Sequence, residues 1–241
     1  MVVSIGWRSG GTQTASHLRL ETLERGGDDD ETAVTLNYLT NANRLMGQHE
    51  EGIQQARKVS EIFERVGDTV NQARCLIDLA WLMHDDKQPD AAEEAASRAL
   101  GLLPEKYEQS QVCDVHRVLG NVYHSMGKPE KAIHHLEVAL GIASSLNTVD
   151  DLSWVHFVLA EVFFGRGMLD DARAHIERAK SHAANNAYNL AYASQLQVEF
   201  WDREHRFEEA KSEALGTLDV FKKLGATHDA EDARAPSVDR L

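Results

Sequence analysis

The sequence predicts an all-α protein, a right-handed solenoid of about five helix–turn–helix units. Three observations carry that prediction. A pattern of small and apolar residues recurs with a period of 40 along most of the 241-residue chain. Within each period the apolar positions follow helical spacing, and Val, Ile and Thr never alternate for long enough to make a strand. The breaks between stripes hold Gly, Asn or Pro, residues that end or start helices. Such a solenoid buries each unit's face on its neighbours and needs no single large core.

The clearest unit is CDVHRVLGNVYHSMGKPEKAIHHLEVALGIASSL, residues 113–146. Leu119, Gly120 and Tyr123 share one face of a first helix, and Gly127 breaks it. Pro129 suits the first turn of a second helix, where a missing N–H is harmless. Ala132, Leu136, Ala139 and Leu140 stripe that second helix. The small Gly120 and Ala132 are expected to face each other and let the two helices approach closely. Forty residues upstream stand Leu79, Ala80, Ala92, Ala96, Ala99 and Leu100. One copy earlier come Leu39, Thr40, Gly52, Ala56 and Val59, with Gly47 in the turn. Downstream, Leu159, Ala160, Phe163, Gly167, Ala172, Ile176 and Ala179 keep the period. In a fifth copy Phe207, Ala210 and Ala214 place the second helix, but the spacing contracts to 38 and the phase of Leu196, Phe200 and Trp201 stays open. The helix pairs predicted are 31–46 with 50–66, 69–84 with 89–102, 109–126 with 129–146, 151–166 with 170–184, and 187–203 with 207–224. Residues 1–27 read as a mostly disordered segment with a remnant helix at 17–25, residues 28–235 as the array, and 236–241 as a tail. The ends are expected to be sticky: residues 18–23 cover the apolar side of Leu36, Leu39 and Leu45 only in part, so weak self-association is expected.

The pattern L-G-x-x-Y, then G, then A-x-x-x-L-x-x-A-L resembles the tetratricopeptide repeat. His116 and Ser144 stand where the family signature has tryptophan and a closing proline, although Pro104 takes that proline place one copy earlier. The period exceeds the family's usual length of about 34, so each helix pair is about a turn or more longer. The resemblance implies a superhelix whose first helices line a concave groove, and a protein–protein scaffold that holds a peptide or protein segment there. The wording around residues 119–146 and RFEEAKSEAL also resembles the repeat tails of fungal proteins that carry a NACHT or NB-ARC switch domain. That resemblance implies an alternative: a self-associating or sensor module of a larger signalling protein.

By the same resemblance the groove candidates are Asn37, Asn41, Arg44, Arg74, Trp81, His84, Arg117, Asn121, His124, Trp154, Phe157, Glu161 and Tyr192. Asn41 and Asn121 hold one repeat position, and Trp81 holds it between them. An amide can pair with both groups of a peptide backbone, and aromatics supply contact area at low entropic cost. Aromatics on helices also pack in cores, so Trp81, Trp154 and Phe164 have that second reading. Asn41, Asn121 and Arg117 are expected to be exposed. Arg44, Arg74 and Arg117 would draw a partner with some acidic residues, a bias that Asp78, Asp114 and Glu161 dilute. The family's clamp for the C-terminal carboxylate of heat-shock chaperones is not matched: counted from Asn37 it falls on Asn37, Asn41, Asp78, Asp114 and Val118, and two acids there would repel a carboxylate.

The net charge of −14 argues against nucleic acid, which needs a basic stripe. Apolar runs are too short for a membrane span. Cys75 and Cys113 read as small buried hydrophobes in a reducing compartment. Residues 1–16 lack the apolar core of a secretion signal, so a cytoplasmic location is expected. Three histidine pairs, His84/His124, His116/His156 and His135/His175, sit 40 apart, which copying of the repeat explains without a metal. There is no phosphate-binding glycine loop and no nucleophile beside a recognisable base. Neither a cofactor nor an enzymatic activity is expected.

Overall fold

The computed structural model describes Thr40, Asn43, Arg44 and residues 47–103 and 109–224, except the side chain of Ala184. The expectations for residues 1–27 and 236–241, for Asn37 and Asn41, and for Leu36, Leu39 and Leu45 lie outside the described residues. Among those described, every regular element is a helix: α1 (His49–Val66), α2 (Thr69–Asp85), α3 (Pro89–Leu102), α4 (Gln109–Ser125), α5 (Pro129–Leu146), α6 (Val149–Gly165), α7 (Leu169–His182), α8 (Ala187–Arg203) and α9 (Phe207–Leu224). A short 3-10 turn, Ala183–Asn185, joins α7 to α8. This is the all-α class expected.

Local chemistry explains the ends. Pro89 and Pro129 open α3 and α5. The Asp68 carboxylate accepts the Asn71 amide at 3.0 Å and caps α2. Asn186 Oδ1 accepts the amides of Tyr188 and Asn189, each at 3.1 Å, and caps α8. Each such bond satisfies an orphan donor of a first turn. Helix α6 starts two residues before the expected 151, which brings Asp150 and Asp151 into its first turn, where the helix dipole favours acids. Helix α7 stops at His182, short of the expected 184, because the 3-10 turn takes over.

The turn inside each helix pair is a backbone device copied with the repeat. Gly47, Lys87, Gly127 and Gly167 all adopt φ between 60° and 74°, and His205 follows at 61°. In each the next amide reaches back five residues, as from Gln88 to Met83 O and from Arg206 to Trp201 O, both at 2.8 Å. Glycine enters this left-handed region freely; Lys87 and His205 are held there by the turn.

The repeated small positions form the seams. Ala92, Ala132, Ala172 and Ala210 are wholly buried, and Leu79, Leu119 and Leu159 are buried with them. The closest approach differs from the expected pairing of Gly120 with Ala132. A Cβ on Gly120 would lie 2.6 Å from both Cγ and Cδ2 of Leu136. Helical side chains lean toward the N-terminus, so Leu136, one turn past Ala132, covers the level at which Ala132 stands. Both cysteines are free and buried, and burial pushes each thiol up to about 12. They act as packing groups, and the Cys113 thiol donates to Ala139 O at 3.5 Å.

The chain forms two compact units, one ending at Leu103 and the other starting at Pro104. In the first unit α2 packs on both α1 and α3. In the second, α4 packs on α5, α6 on α7 and α8 on α9, and each pair stacks on the next. There the first helices approach one another, α4 to α6 and α6 to α8, more closely than the second helices do. The closer side of a curved stack is its inner side, so α4, α6 and α8 line the concave face of this unit.

Candidate functional site

In the first unit Arg44, Trp81 and His84 come together, around Asp85. Arg44 Nη1 and His84 Nδ1 each lie 3.3 Å from a separate oxygen of Asp85. The Arg44 guanidinium lies 6.0 Å from the Trp81 ring centre, and His84 meets that ring edge-on at 6.1 Å. Burial alone would raise the Asp85 carboxyl, but the bonds from His84 and Arg44 outweigh it and hold the group below its usual range. Arg74 is exposed on α2, two turns before Trp81. A depression of about 340 Å³ in this unit is lined by Arg57, Glu61, Glu94 and Arg98 over Leu76 and Met83. None of the candidates lines it.

In the second unit the expected exposed amide is internal. Asn121 is buried, and its Nδ2 donates to the Arg117 carbonyl at 3.0 Å. The side chain thus turns back onto the preceding turn of its own helix and is largely covered. Arg117 likewise serves the fold. Its Nη1 lies 2.7 Å from Asp114 on α4 and 2.7 Å from Asp151 on α6, a brace between consecutive first helices. His124 is half-buried at the end of the same face. Of the three arginines expected to draw an acidic partner, Arg44 and Arg117 are tied to acids and Arg74 is exposed.

What the concave face offers instead is a strip between α6 and α8. Trp154 and Tyr192 touch edge to face at 5.3 Å and both keep part of their surface open. Phe157 lies beneath them, buried, 5.3 Å from Trp154 and 5.6 Å from Tyr192. Phe157 is therefore floor, not contact surface. Two turns along each helix stand Glu161 and Glu199. Burial, then the neighbouring Glu199 carboxylate, raises Glu161 to about 8. Glu199 is also raised by burial, against the opposing pull of Arg203. Beyond them the Arg203 guanidinium sits 4.2 Å from the Phe164 ring centre and donates to the Phe164 carbonyl at 3.3 Å. Sequence reading found Glu161 but missed Glu199, because the fifth copy shifts by two residues and its phase was open. The matching signal was the shared spacing of 38 that relates Trp154 to Tyr192 and Glu161 to Glu199.

The histidines form a second constellation that the spacing of 40 concealed. His116 and His135 meet Nδ1 to Nδ1 at 3.0 Å, and His156 and His175 repeat the contact at 3.0 Å. Tyr123 stacks on His135 and Phe163 on His175, each at 5.3 Å. Each contact joins a first helix to its own second helix. Among the described residues no group of three or more His, Cys, Asp or Glu side chains is arranged to hold a metal ion. Burial lowers His116, with His134 adding to the effect. His175 is lowered by burial and Arg178 against the opposing pull of Asp171, and His156 falls to about 4 through burial and then His175, His182 and Arg178. The sign follows: the fold binds fewer protons here than the unfolded chain, so this stability is present above about pH 6.5 and lost as pH falls toward 4. His156 alone is expected to remove about 2 kcal/mol over that range, allowing for solvent screening. Urea unfolding from pH 6.5 to 5 should show the loss, and His156→Gln with His175→Gln should flatten it; equal slopes in both proteins would refute the assignment.

The Tetratricopeptide repeat model matches residues 31–105 and 111–194. That is more than half of the chain, and the chain belongs to the tetratricopeptide repeat family. The match stops inside α8, yet the structure continues the pattern with the α8–α9 hairpin. The chain is similar in fold to the apo form of RapI, with 17% identity and a TM-score of 0.68 over 94% of this chain and 89% of that one. It is similar to a Rap protein solved with Competence and Sporulation Factor, with 15% identity and a TM-score of 0.68 over 95% and 73%. It is also similar to a putative kinesin light chain of Podospora anserina with nearly identical TPR-like repeats, with 14% identity and a TM-score of 0.57 over 79% and 95%. A search of curated protein sequences returned no match.

Proposed function

We propose that this protein is a binding scaffold that holds a peptide or protein segment on the concave first-helix face of its second unit. The observation that carries the reading is the strip of part-open aromatic rings, Trp154 and Tyr192, seated on a buried Phe157. Rigid rings on a firm floor lose little entropy on binding and give large contact area. The Arg117 and Arg203 braces preset the spacing of the helices, which lowers the ordering cost further. A scaffold role fits the family and needs no catalytic group. The net charge of −14 and the absence of a basic stripe favour a protein partner over nucleic acid. We read the location as cytoplasmic from the two buried free thiols. The resemblance to fungal NACHT and NB-ARC tails supports a second reading, a sensor or self-associating module within a larger signalling protein.

The test is affinity capture from source-cell extract with three baits: the unaltered chain, Trp154→Ala with Tyr192→Ala, and His134→Ala, an exposed change on α5. Capture of the same partner should fall about tenfold or more for the aromatic variant, as hot-spot truncations do, and stay level for His134→Ala. His135 is unsuited as that control because it pairs with His116 inside the hairpin. Loss with His134→Ala and retention with the aromatic variant would move the site to the second-helix face.

A further inference from the structure

The hairpins α4–α5 and α6–α7 are filled by stacked rings, and the α2–α3 hairpin of the first unit is not. In α4–α5, His135 meets His116 Nδ1 to Nδ1 at 3.0 Å and stacks on Tyr123 at 5.3 Å. Lys131 Nζ lies 4.8 Å from the centre of the same Tyr123 ring. In α6–α7, His156, His175 and Phe163 repeat the stack at the same distances. Forty residues before His116, Tyr123, Lys131 and His135 stand Leu76, Met83, Ala91 and Ala95. All four line the depression of about 340 Å³ in the first unit. The imidazole that the later hairpins carry on their second helix is cut back to a methyl group in Ala95. The place that this ring fills in the later hairpins therefore falls to the depression. Its floor, Leu76, Leu79 and Met83, is buried and apolar. Its rim, Arg57 and Glu61 on α1 with Glu94 and Arg98 on α3, is exposed and carries both charges.

We propose that this socket takes an aromatic side chain of a partner polypeptide, a phenylalanine, tyrosine or tryptophan that stands where His135 and His175 stand in the later hairpins. The socket belongs to the first unit and uses no residue of the Trp154–Tyr192 strip, so it goes beyond the concave-face reading. Two substitutions select the occupant. Met83 replaces the ring face of Tyr123 with a thioether, which makes favourable contacts with an aromatic ring. Leu76 replaces the nitrogen of His116 that pairs with His135, so an imidazole seated here has no partner for its polar edge and an apolar ring is preferred. The openness of the rim decides between a free ligand and a chain. A small ligand is held by enclosing most of its surface. Here the rim side chains are exposed, so the ring is held from outside by the polypeptide that carries it, whose neighbouring polar groups meet the rim charges.

The experiment uses the full chain, carrying carbon-13 methionine methyls, and fluorescent 12-residue peptide pools. Each pool fixes a central phenylalanine, histidine or alanine, with small neutral residues mixed elsewhere. Anisotropy titration should show the phenylalanine pool binding about tenfold or more tightly than the alanine pool, with the histidine pool close to alanine. In methyl NMR spectra the phenylalanine pool should move the Met83 signal upfield through its ring current and leave Met126 and Met168 in place; Met83→Leu assigns the signal. Two variants fill the socket: Leu76→His with Met83→Tyr and Ala95→His, which copies α4–α5, and Ala95→Leu alone. Each should reduce the phenylalanine pool to the alanine level with an unchanged circular dichroism spectrum, and Trp154→Ala should keep the preference. Equal binding of the phenylalanine and alanine pools, or a Met83 signal that stays in place, overturns the socket on the unaltered chain alone, whether or not a filled variant folds. A phenylalanine preference that survives filling and is lost in Trp154→Ala also overturns it and assigns the ring to the concave strip. A dimer in sedimentation that both filled variants dissociate would make a second copy the occupant and overturn the partner assignment.

Discussion

Gly120→Leu is expected to destabilise the second unit by about 3 kcal/mol, the upper end of the range for an overpacked core. A single Cβ at this position already lies 2.6 Å from two carbons of Leu136, and both residues are buried. Leucine adds three further carbons where α4 and α5 have no room. Leu136→Ala should itself be destabilising by about 3 kcal/mol, because it empties a fully buried site. Combined, the two changes should be strongly non-additive, since the new side chain enters the space that Leu136 leaves. Urea midpoints of the two single variants and the double variant, read against the unaltered chain, measure the coupling. Strict additivity would show that residues 120 and 136 do not share a seam, and the repeat register built on Leu119 and Ala132 would fall with it.

Glu161→Gln is expected to stabilise the protein at and above neutral pH. The carboxyl titrates near 8 in the fold, against 4.5 ordinarily. The fold therefore holds a proton there that the unfolded chain releases. The stability is fully present below about pH 4.5 and is lost as pH rises through 8. Glutamine keeps the shape and removes the titration. The variant should match the unaltered chain near pH 4.5 and exceed it by about 2 kcal/mol at pH 8, with screening by the open side of the groove allowed for. The sign opposes that of the histidine pairs, so the two effects separate by pH: the imidazoles act below about 6.5 and this carboxyl continues to act above it. A difference that does not grow with pH would show that burial does not set the titration of Glu161. A residue that costs stability on an open concave surface is what a binding role retains and a purely structural role does not require.

The helix pairs were legible in the sequence because their causes are local. The prolines at 89 and 129 and the left-handed turns at 47, 127 and 167 act through a few neighbouring residues, and copying amplifies the signal at each period. The buried alanine seams were legible for the same reason, since a stack admits only small residues where its helices touch. Of the candidate site, repeat position put Trp154, Glu161 and Tyr192 on first helices, and the structure brings the Trp154 and Tyr192 rings into contact.

Three features were decided by tertiary structure alone. Repeat position places Asn121 on the first-helix face, but only the folded structure shows it buried with its amide turned onto the Arg117 carbonyl. Charge counting marks Arg44 and Arg117 as groove cations, but only the stacking brings Asp85 and Asp151 against them and spends their charge on the fold. The pairing of Trp154 with Tyr192, and of His116 with His135, joins residues 38 and 19 apart on different helices. A linear pattern states which residues recur and on which side of a helix they fall. Which of them meet is set by the approach of one helix to another, and that depends on every side chain in the seam at once.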